Sequence, residues 1–212
     1  MPENLFAALL SLAVSYLLGS LPSAQLFARL GGKDIFSTGS GNMGTMNALR
    51  NLGPLYGILT FILDVLKGVA AVLLAPVLAG LVAAESGLAA DWAVAAAIIG
   101  TGVGHVFPIF TRFRGGKALA VAFGAILPLN WPVAVGALVL IALLVLLLRN
   151  VNLASAVTIT VAGAVIIVLD LLQSTAAGAV IRSSGIVLLV VLIVWRHLPF
   201  TASGRNPLVA GP

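Results

Sequence analysis

Long apolar runs alternate with short polar gaps along this chain. Apolar segments fall at 5–28, 56–82, 92–110, 118–129, 133–148, 153–172 and 184–196. Residues 4–28, 92–111, 118–148 and 150–169 contain no Asp, Glu, Lys or Arg. Uncharged apolar stretches of roughly 18 or more residues read as membrane spans. Such spans are helices, because a lipid-exposed open strand leaves its backbone groups unsatisfied. The pattern predicts an all-α, polytopic membrane helix bundle of seven spans, forming one domain over 1–212. The gaps between segments carry turn formers, such as Gly31-Gly32-Lys33-Asp34 and Arg149-Asn150-Val151-Asn152.

Composition agrees. The chain is 61% hydrophobic and 8% charged, where a soluble domain carries about 25% charged residues. There is no cysteine, which excludes disulfides and thiolate metal sites. The first apolar run exceeds the roughly 7–15 residues of a signal peptide's apolar region, and Glu3 precedes it instead of a basic start. It is therefore expected to be a retained span. The net charge of +5 points to membrane orientation and not to nucleic acid, because the cations flank apolar runs.

Segment 118–129 is short: a 12-residue helix rises about 18 Å, against a hydrocarbon core of about 30 Å. It would suit a re-entrant half-helix, but the charges favour a crossing. With seven spans and the N-terminus outside, Arg29, Lys33, Arg50, Arg112, Arg114, Lys117, Arg149, Arg196 and Arg205 all face the cytoplasm. Arg182 alone lies outside, and Lys67 falls within a span. Without that crossing, Arg149, Arg196 and Arg205 move outside, against the positive-inside bias. The C-terminus is expected to be cytoplasmic, with the bilayer adapting around the short segment.

Candidate chemistry gathers in the gaps. The first, 29–54, holds Ser37, Thr38, Ser40, Asn42, Thr45, Asn47 and Arg50. Gly39, Gly41 and Gly44 match the dinucleotide fingerprint literally, but that motif needs a βαβ unit and here lies between membrane helices. Glycines also allow a backbone to present successive N–H groups to an anion, and Arg50 suits bidentate phosphate binding. A plain Gly/Asn-rich turn with an orienting arginine is the equal alternative. The second gap holds His105, Pro108, Arg112, Arg114, Gly115, Gly116 and Lys117. Gly115-Gly116-Lys117 at a helix start is a sound phosphate site, though not a Walker A loop; the alternative is orientation by three cations. His105 is either a satisfied buried histidine or a tunable functional one.

Asp64 and Lys67 share one face of the second span. Charges in a span pair with one another or face a polar cavity. A neutral packing pair, a Lys67 ammonium aimed at a phosphate, and a transporter's proton relay all fit. Asn152 and Ser155 begin a helix, where capping is the ordinary role. Arg196 and His197 stand near the tail.

Together these residues resemble the PlsY family of bacterial membrane acyltransferases. The resemblance rests on Gly19-Ser20-Leu21-Pro22, then Gly39-Ser40-Gly41-Asn42-x-Gly44-x-x-Asn47-x-x-Arg50. Asp64-x-x-Lys67-Gly68 and Gly104-His105-x-Phe107-Pro108-x-Phe110-x-x-Phe113-x-Gly115-Gly116-Lys117 continue it, over about residues 19–155. It implies a seven-span acyltransferase of the bacterial inner membrane, with its active site on the cytoplasmic face. The implied reaction moves an acyl group from acyl phosphate to glycerol 3-phosphate, giving lysophosphatidic acid at the first step of phospholipid synthesis. By this resemblance Ser40 and Arg50 match the first motif's essential serine and arginine, Gly115, Gly116 and Lys117 match the glycerol phosphate motif, and His197 matches the histidine of the C-terminal motif. The chain departs at Ala118-Leu119-Ala120-Val121, and at Phe200, where the family's tail has asparagine; the tail's glutamate is absent, with Asn206 the available substitute.

Acyl phosphate is an activated mixed anhydride, so direct attack by the glycerol hydroxyl is expected, without a covalent intermediate. Ser40, Arg50 and His197 are the expected catalytic residues. Asn42, Asn47, Lys67, His105, Gly115, Gly116, Lys117 and Ser155 are the expected substrate-binding residues. No carboxylate cluster would hold a metal, so no metal or cofactor is expected, and the acids are expected to lie away from Ser40. The partners are glycerol 3-phosphate, acyl phosphate and membrane lipid. The rival functions are a small transporter using Asp64 and Lys67, and an inactive lipid-binding relative.

Overall fold

The structure, a computed structural model, describes residues 2–83 and 87–198. Among these residues the regular elements are all helical: α1 Pro2–Ser20, α2 Ser23–Leu30, α3 Thr45–Asn51, α4 Pro54–Gly80 and α5 Gly87–Val106, then α6 Leu119–Leu129, α7 Trp131–Leu148, α8 Val151–Gln173 and α9 Ala176–His197. Short 3₁₀ turns occupy Ile35–Ser37 and Ile109–Thr111. All seven expected apolar segments are helical. Six stretches are long and apolar enough to cross a membrane: Glu3–Leu30, Pro54–Gly80, Gly87–Thr111, Trp131–Leu148, Val151–Gln173 and Ala176–His197. Leu119–Leu129, at 11 residues, is shorter.

Three boundaries differ from expectation, each for a local reason. The first segment breaks at Leu21-Pro22, because proline lacks the N–H that would continue α1 and disfavours helix in the residue before it. The gap at 29–54 is not a plain turn, since α3 forms within it. Helix α9 begins at Ala176 and so contains Arg182, which was expected in the preceding loop. The charge is accommodated by two acids from neighbouring helices. Arg182 Nε donates to Asp170 Oδ2 at 3.0 Å, Nη2 to Asp170 Oδ1 at 2.6 Å, and Nη1 to Asp91.

Helix α5 is the most deeply buried span, with Ala93, Ala97, Ile98, Gly100, Thr101 and Gly104 enclosed. Small residues let α1 lie directly upon it. Ser11, Ser15 and Gly19 recur every fourth position on α1; Ser15 lies on Gly100, Gly19 on the Thr101 backbone, and Gly104 on the Tyr16 carbonyl, the close-approach stripe that membrane helices use. Ser11 Oγ donates across this interface to the Ala93 carbonyl at 2.8 Å, and Tyr16 Oη donates to the Phe107 carbonyl at 2.9 Å. Helices α4 and α6 approach in the same way. A Cβ added at Gly68 would fall on the Val121 carbonyl, and one at Gly124 on the Val65 carbonyl. By contrast α7 is peripheral: Ala134 is its one buried residue. A trough remains between α4, α6, α7 and α8.

Gly124→Leu should therefore force α4 and α6 apart, an overpacking cost of about 1–3 kcal/mol or more, and lower the apparent melting temperature in detergent by several degrees. Gly136→Leu on α7, where an added Cβ meets nothing within 4 Å, should leave that temperature unchanged. Thermal denaturation of the two purified variants beside the parent checks this.

Candidate active site

One buried amide organises the first polar loop. Asn47, on α3, accepts at Oδ1 from the Ser40 N–H at 3.1 Å and from Asn51 Nδ2 at 2.9 Å. Its Nδ2 is shared among the carbonyls of Asn42 at 2.9 Å, Thr38 at 3.0 Å and Ile35 at 3.3 Å. The chain wraps this amide through Gly39 (φ 59°) and Gly41 (φ 63°), left-handed conformations that glycine adopts freely. Asn47 is thus spent inside the loop. What the loop presents is Ser40, Asn42 and Arg50. The Asn42 Oδ1 is buried without a hydrogen-bond partner. Arg50 is exposed, with no hydrogen bond or ion pair to any described residue.

The facing wall comes from the start of α6, the α7–α8 link and the end of α9. Lys117 Nζ donates to Asn152 Oδ1 at 2.7 Å. Burial lowers the Lys117 ammonium from its ordinary pKa, and the Arg196 guanidinium lowers it further. Asn150 caps α8, accepting from the Leu153 N–H at 3.1 Å, and Ser155 Oγ donates to the Val151 carbonyl at 2.7 Å. His197 Nδ1 lies 2.9 Å from the Ile193 carbonyl. A carbonyl only accepts, so Nδ1 carries the proton and Nε2 of the neutral ring is left as an acceptor. Arg196 packs over the rings of Trp195 and Phe107 and donates from Nη2 to the Gly116 carbonyl at 3.2 Å.

Beneath both walls lies Asp64. Its Oδ1 accepts from Ser23 Oγ at 2.6 Å and from Lys67 Nζ at 2.8 Å, with His105 Nδ1 at 3.8 Å. Lys67 also donates to the Leu21 carbonyl at the break between α1 and α2. Gly115 and Gly116 are buried, and the Gly116 N–H donates to the His105 carbonyl at 3.0 Å. A Cβ at Gly116 would strike the His105 ring. The glycine pair sets how closely the chain lies on α5, and the Gly116 N–H is not free for an anion.

These parts enclose a cleft of about 1110 Å³. Its mouth is polar, with Ser40, Asn42, Arg50, Lys117, Arg149 and Asn152; its depth is apolar, with Phe61, Phe123, Ile126, Ile141, Val145 and Ile159. Of the expected site residues, Ser40, Asn42, Asn47, Arg50, His105, Lys117, Ser155 and His197 border the cleft. Lys67, Gly115 and Gly116 do not, and each acts on a neighbour that does or adjoins one. Phe200 and Asn206 lie outside the described residues.

Sequence reasoning missed three lining groups. Asp64 was expected away from Ser40, yet both border this cleft. Thr158, one helical turn beyond Ser155, places a buried and unpartnered hydroxyl there; that spacing was the available signal. Arg149 carried no signal beyond its charge. An amphipathic cleft with cations at its mouth can hold an anionic head and an apolar chain together.

Comparison with known proteins identifies the family and the fold. The family model described as glycerol-3-phosphate acyltransferase matches residues 9–202. A glycerol-3-phosphate acyltransferase of Deinococcus radiodurans is 38% identical over 190 residues, covering 90% of this chain and 88% of that one. One of Prochlorococcus marinus strain NATL1A is 36% identical over 208 residues, covering 96% and 99%. Among solved structures, the glycerol 3-phosphate form of PlsY, an integral membrane glycerol 3-phosphate acyltransferase, superposes with a TM-score of 0.72 at 31% identity, covering 90% of this chain and 88% of that one. The lysophosphatidic acid form of the same enzyme gives 0.71. By sequence over nearly its whole length and by fold, this chain belongs to the glycerol-3-phosphate acyltransferase family of integral membrane proteins.

Proposed function

We propose that this protein transfers an acyl group from acyl phosphate to glycerol 3-phosphate, giving 1-acylglycerol 3-phosphate and inorganic phosphate at the first step of phospholipid synthesis. The observation that carries the reading is a single cleft with unneutralised cations at its mouth and an apolar trough below. Both expected reactants are phosphorylated, and one bears a chain. PlsY, the structural neighbour, is known in glycerol 3-phosphate and lysophosphatidic acid forms, which supports the same acceptor and product here.

The chain forms one domain of the bacterial inner membrane, with seven crossings, the N-terminus outside and the C-terminus in the cytoplasm. Nine of the eleven cations, Lys67 and Arg182 excepted, then share the cytoplasmic side with the cleft mouth.

In the reaction, Arg50 and Lys117 neutralise the two phosphates so that the reactants can approach. Proximity of this kind supplies roughly 7–11 kcal/mol of barrier reduction. The acceptor hydroxyl oxygen attacks the acyl carbon. Ser40 and the Asn42 amide donate to the oxyanion that develops there. The bond from acyl carbon to phosphate oxygen then breaks, phosphate departs, and the hydroxyl proton passes to a phosphate oxygen. His197, with Nε2 an acceptor, orients or relays that proton. Asn47 is a positioning residue, because it fixes the Ser40 backbone. Lys67 positions Asp64, Gly115 and Gly116 seat the chain on α5 at His105 just before Lys117, and His105 and Ser155 complete the acceptor's surroundings.

Ser40→Ala and Arg50→Ala should each lower acyl transfer by about 10²-fold or more while the variants elute and melt as the parent does. Near-full turnover in both, measured by lipid extraction after incubation with radiolabelled glycerol 3-phosphate and acyl phosphate, would remove this mechanism.

The pH profile follows from Lys117. Only its charged form holds a phosphate, and burial with Arg196 nearby lowers its pKa. Log kcat/KM for glycerol 3-phosphate should therefore fall as pH rises, at a pH below the ordinary lysine value of about 10.4. In Lys117→Arg, whose charge persists, that alkaline limb should move upward; an unmoved limb would clear Lys117 of this role.

A further inference from the structure

We propose that Arg149 is a substrate-binding residue whose guanidinium holds the phosphate of the acyl donor. This rests on the acyl-phosphate reading above and assigns the donor's head to a residue outside the family motifs on which that reading was built.

The backbone supplies the first observation. Arg149 ends α7 with φ 50° and ψ 22°, in the left-handed region, while its N–H still closes on the Val145 carbonyl at 3.0 Å. Helices that end this way usually place glycine there, because a Cβ crowds the backbone. Strained non-glycine residues of this kind concentrate where a side chain is needed for binding. A turn that served only to reverse the chain would be better made with glycine.

The second observation is charge. The Arg149 guanidinium has no hydrogen bond or ion pair to any described residue, yet it borders the cleft. Three of the other six described guanidiniums are engaged: Arg182 by Asp91 and Asp170, Arg196 by the Gly116 carbonyl, Arg114 by the Phe36 ring. Arg50 is unpartnered and borders the cleft too, on the facing loop. Arg29 and Arg112 are unpartnered as well, but neither borders the cleft.

Position identifies the ligand. Val145, Ala142 and Leu138 precede Arg149 by four, seven and eleven residues, the spacing of one helix face, and all three line the apolar trough. Arg149 therefore stands at the head of an apolar row. In acyl phosphate the phosphate is bonded directly to the acyl carbon, so its charge sits at the end of the chain, where this row ends. Glycerol 3-phosphate has no chain to lay along α7. Asn152, three residues on, places its carbonyl oxygen on Lys117, so the cation assigned to the second phosphate is tied to the same α7–α8 link that carries Arg149. A cation present only to orient the membrane helices explains neither the backbone conformation nor the place at the cleft.

The test uses the full-length protein purified in detergent, with Arg149→Gly, Arg149→Lys and Arg149→Gln. Glycine removes the charge and suits the left-handed backbone. We expect Arg149→Gly to raise KM for acyl phosphate by about tenfold or more, the loss of a charge-assisted hydrogen bond, with KM for glycerol 3-phosphate little changed and the melting temperature equal or higher. Arg149→Gln should show the same split, and Arg149→Lys should recover part of the donor affinity. A wild-type donor KM in Arg149→Gly, an equal rise for both substrates, or a fall in melting temperature that accompanies the lost activity would overturn the assignment. If the parent protein itself makes no lysophosphatidic acid from acyl phosphate in this assay, the proposed function fails with it; if the parent is active, only the role of Arg149 is at stake.

Discussion

A carboxylate buried among membrane helices must be satisfied where it stands, and Asp64 is hydrogen-bonded by two separate parts of the chain and approached by a third. Ser23 reaches it from α2, Lys67 from its own helix, and His105 lies beside it from α5. Lys67 in turn takes the Leu21 carbonyl at the break between α1 and α2. Leaving any of these charges unpaired would cost several kcal/mol in so dry a place, so the four elements are fixed relative to one another. Because α4 also lies backbone-to-backbone on α6 through Gly68 and Gly124, the same point fixes the start of α6, and with it Lys117. The polar network under the cleft is structural in its contacts and functional in its consequence: it sets the distance between the two walls.

Cations divide the molecule into parts that hold and parts that wait. Lys67 and Arg182 are spent on carboxylates, Lys33 on the Asn51 carbonyl and Arg196 on the Gly116 carbonyl. Arg50 and Arg149 are unspent among the described residues and border the cleft, and Lys117 has only the Asn152 carbonyl oxygen. Charge count alone does not separate these groups. The separation depends on which acids and carbonyls reach them, and that is a property of the packed bundle.

This explains what the sequence disclosed. Apolar periodicity located every long helix, because lipid imposes a length and a composition that few other constraints can mask. It misplaced the start of α9, since Arg182 looked like a loop charge until Asp91 and Asp170 were brought to it from other helices. That Ser40, Asn42 and Arg50 share one polar loop, which the structure sets at the cleft, was legible, but the duty of Asn47 was not: an asparagine that binds a ligand and one that binds its own loop look alike in sequence. Gly115 and Gly116 posed the same problem. Glycines that open a nest for an anion and glycines that admit a neighbouring helix differ only in what a Cβ would strike, and here it would strike α5 and the His105 ring. Asp64 and Ser40 make no contact with one another, yet both line the same cleft, because the α2 bend and the Lys67 contact set Asp64 beneath it.

The loosely held α7 fits the chemistry asked of this cleft. The proposed donor carries a long chain and would arrive from the bilayer, so one wall must face lipid, and a wall built from a deeply packed helix would leave no way in. Helix α7 buries only Ala134 and is apolar along its length, so its outer face and its trough face offer a chain similar surroundings. Entry then requires little desolvation until the head reaches the mouth. There the proposed reaction makes the opposite demand, because a mixed anhydride is open to attack by water and two phosphates repel one another. The mouth meets it with fixed donors and cations, held by Asn47, Asn152 and the Asp64 network. An exposed apolar wall and a hydrogen-bonded polar rim are therefore not competing features; in the proposed reaction the first admits the chain, and the second confines the transfer to one hydroxyl.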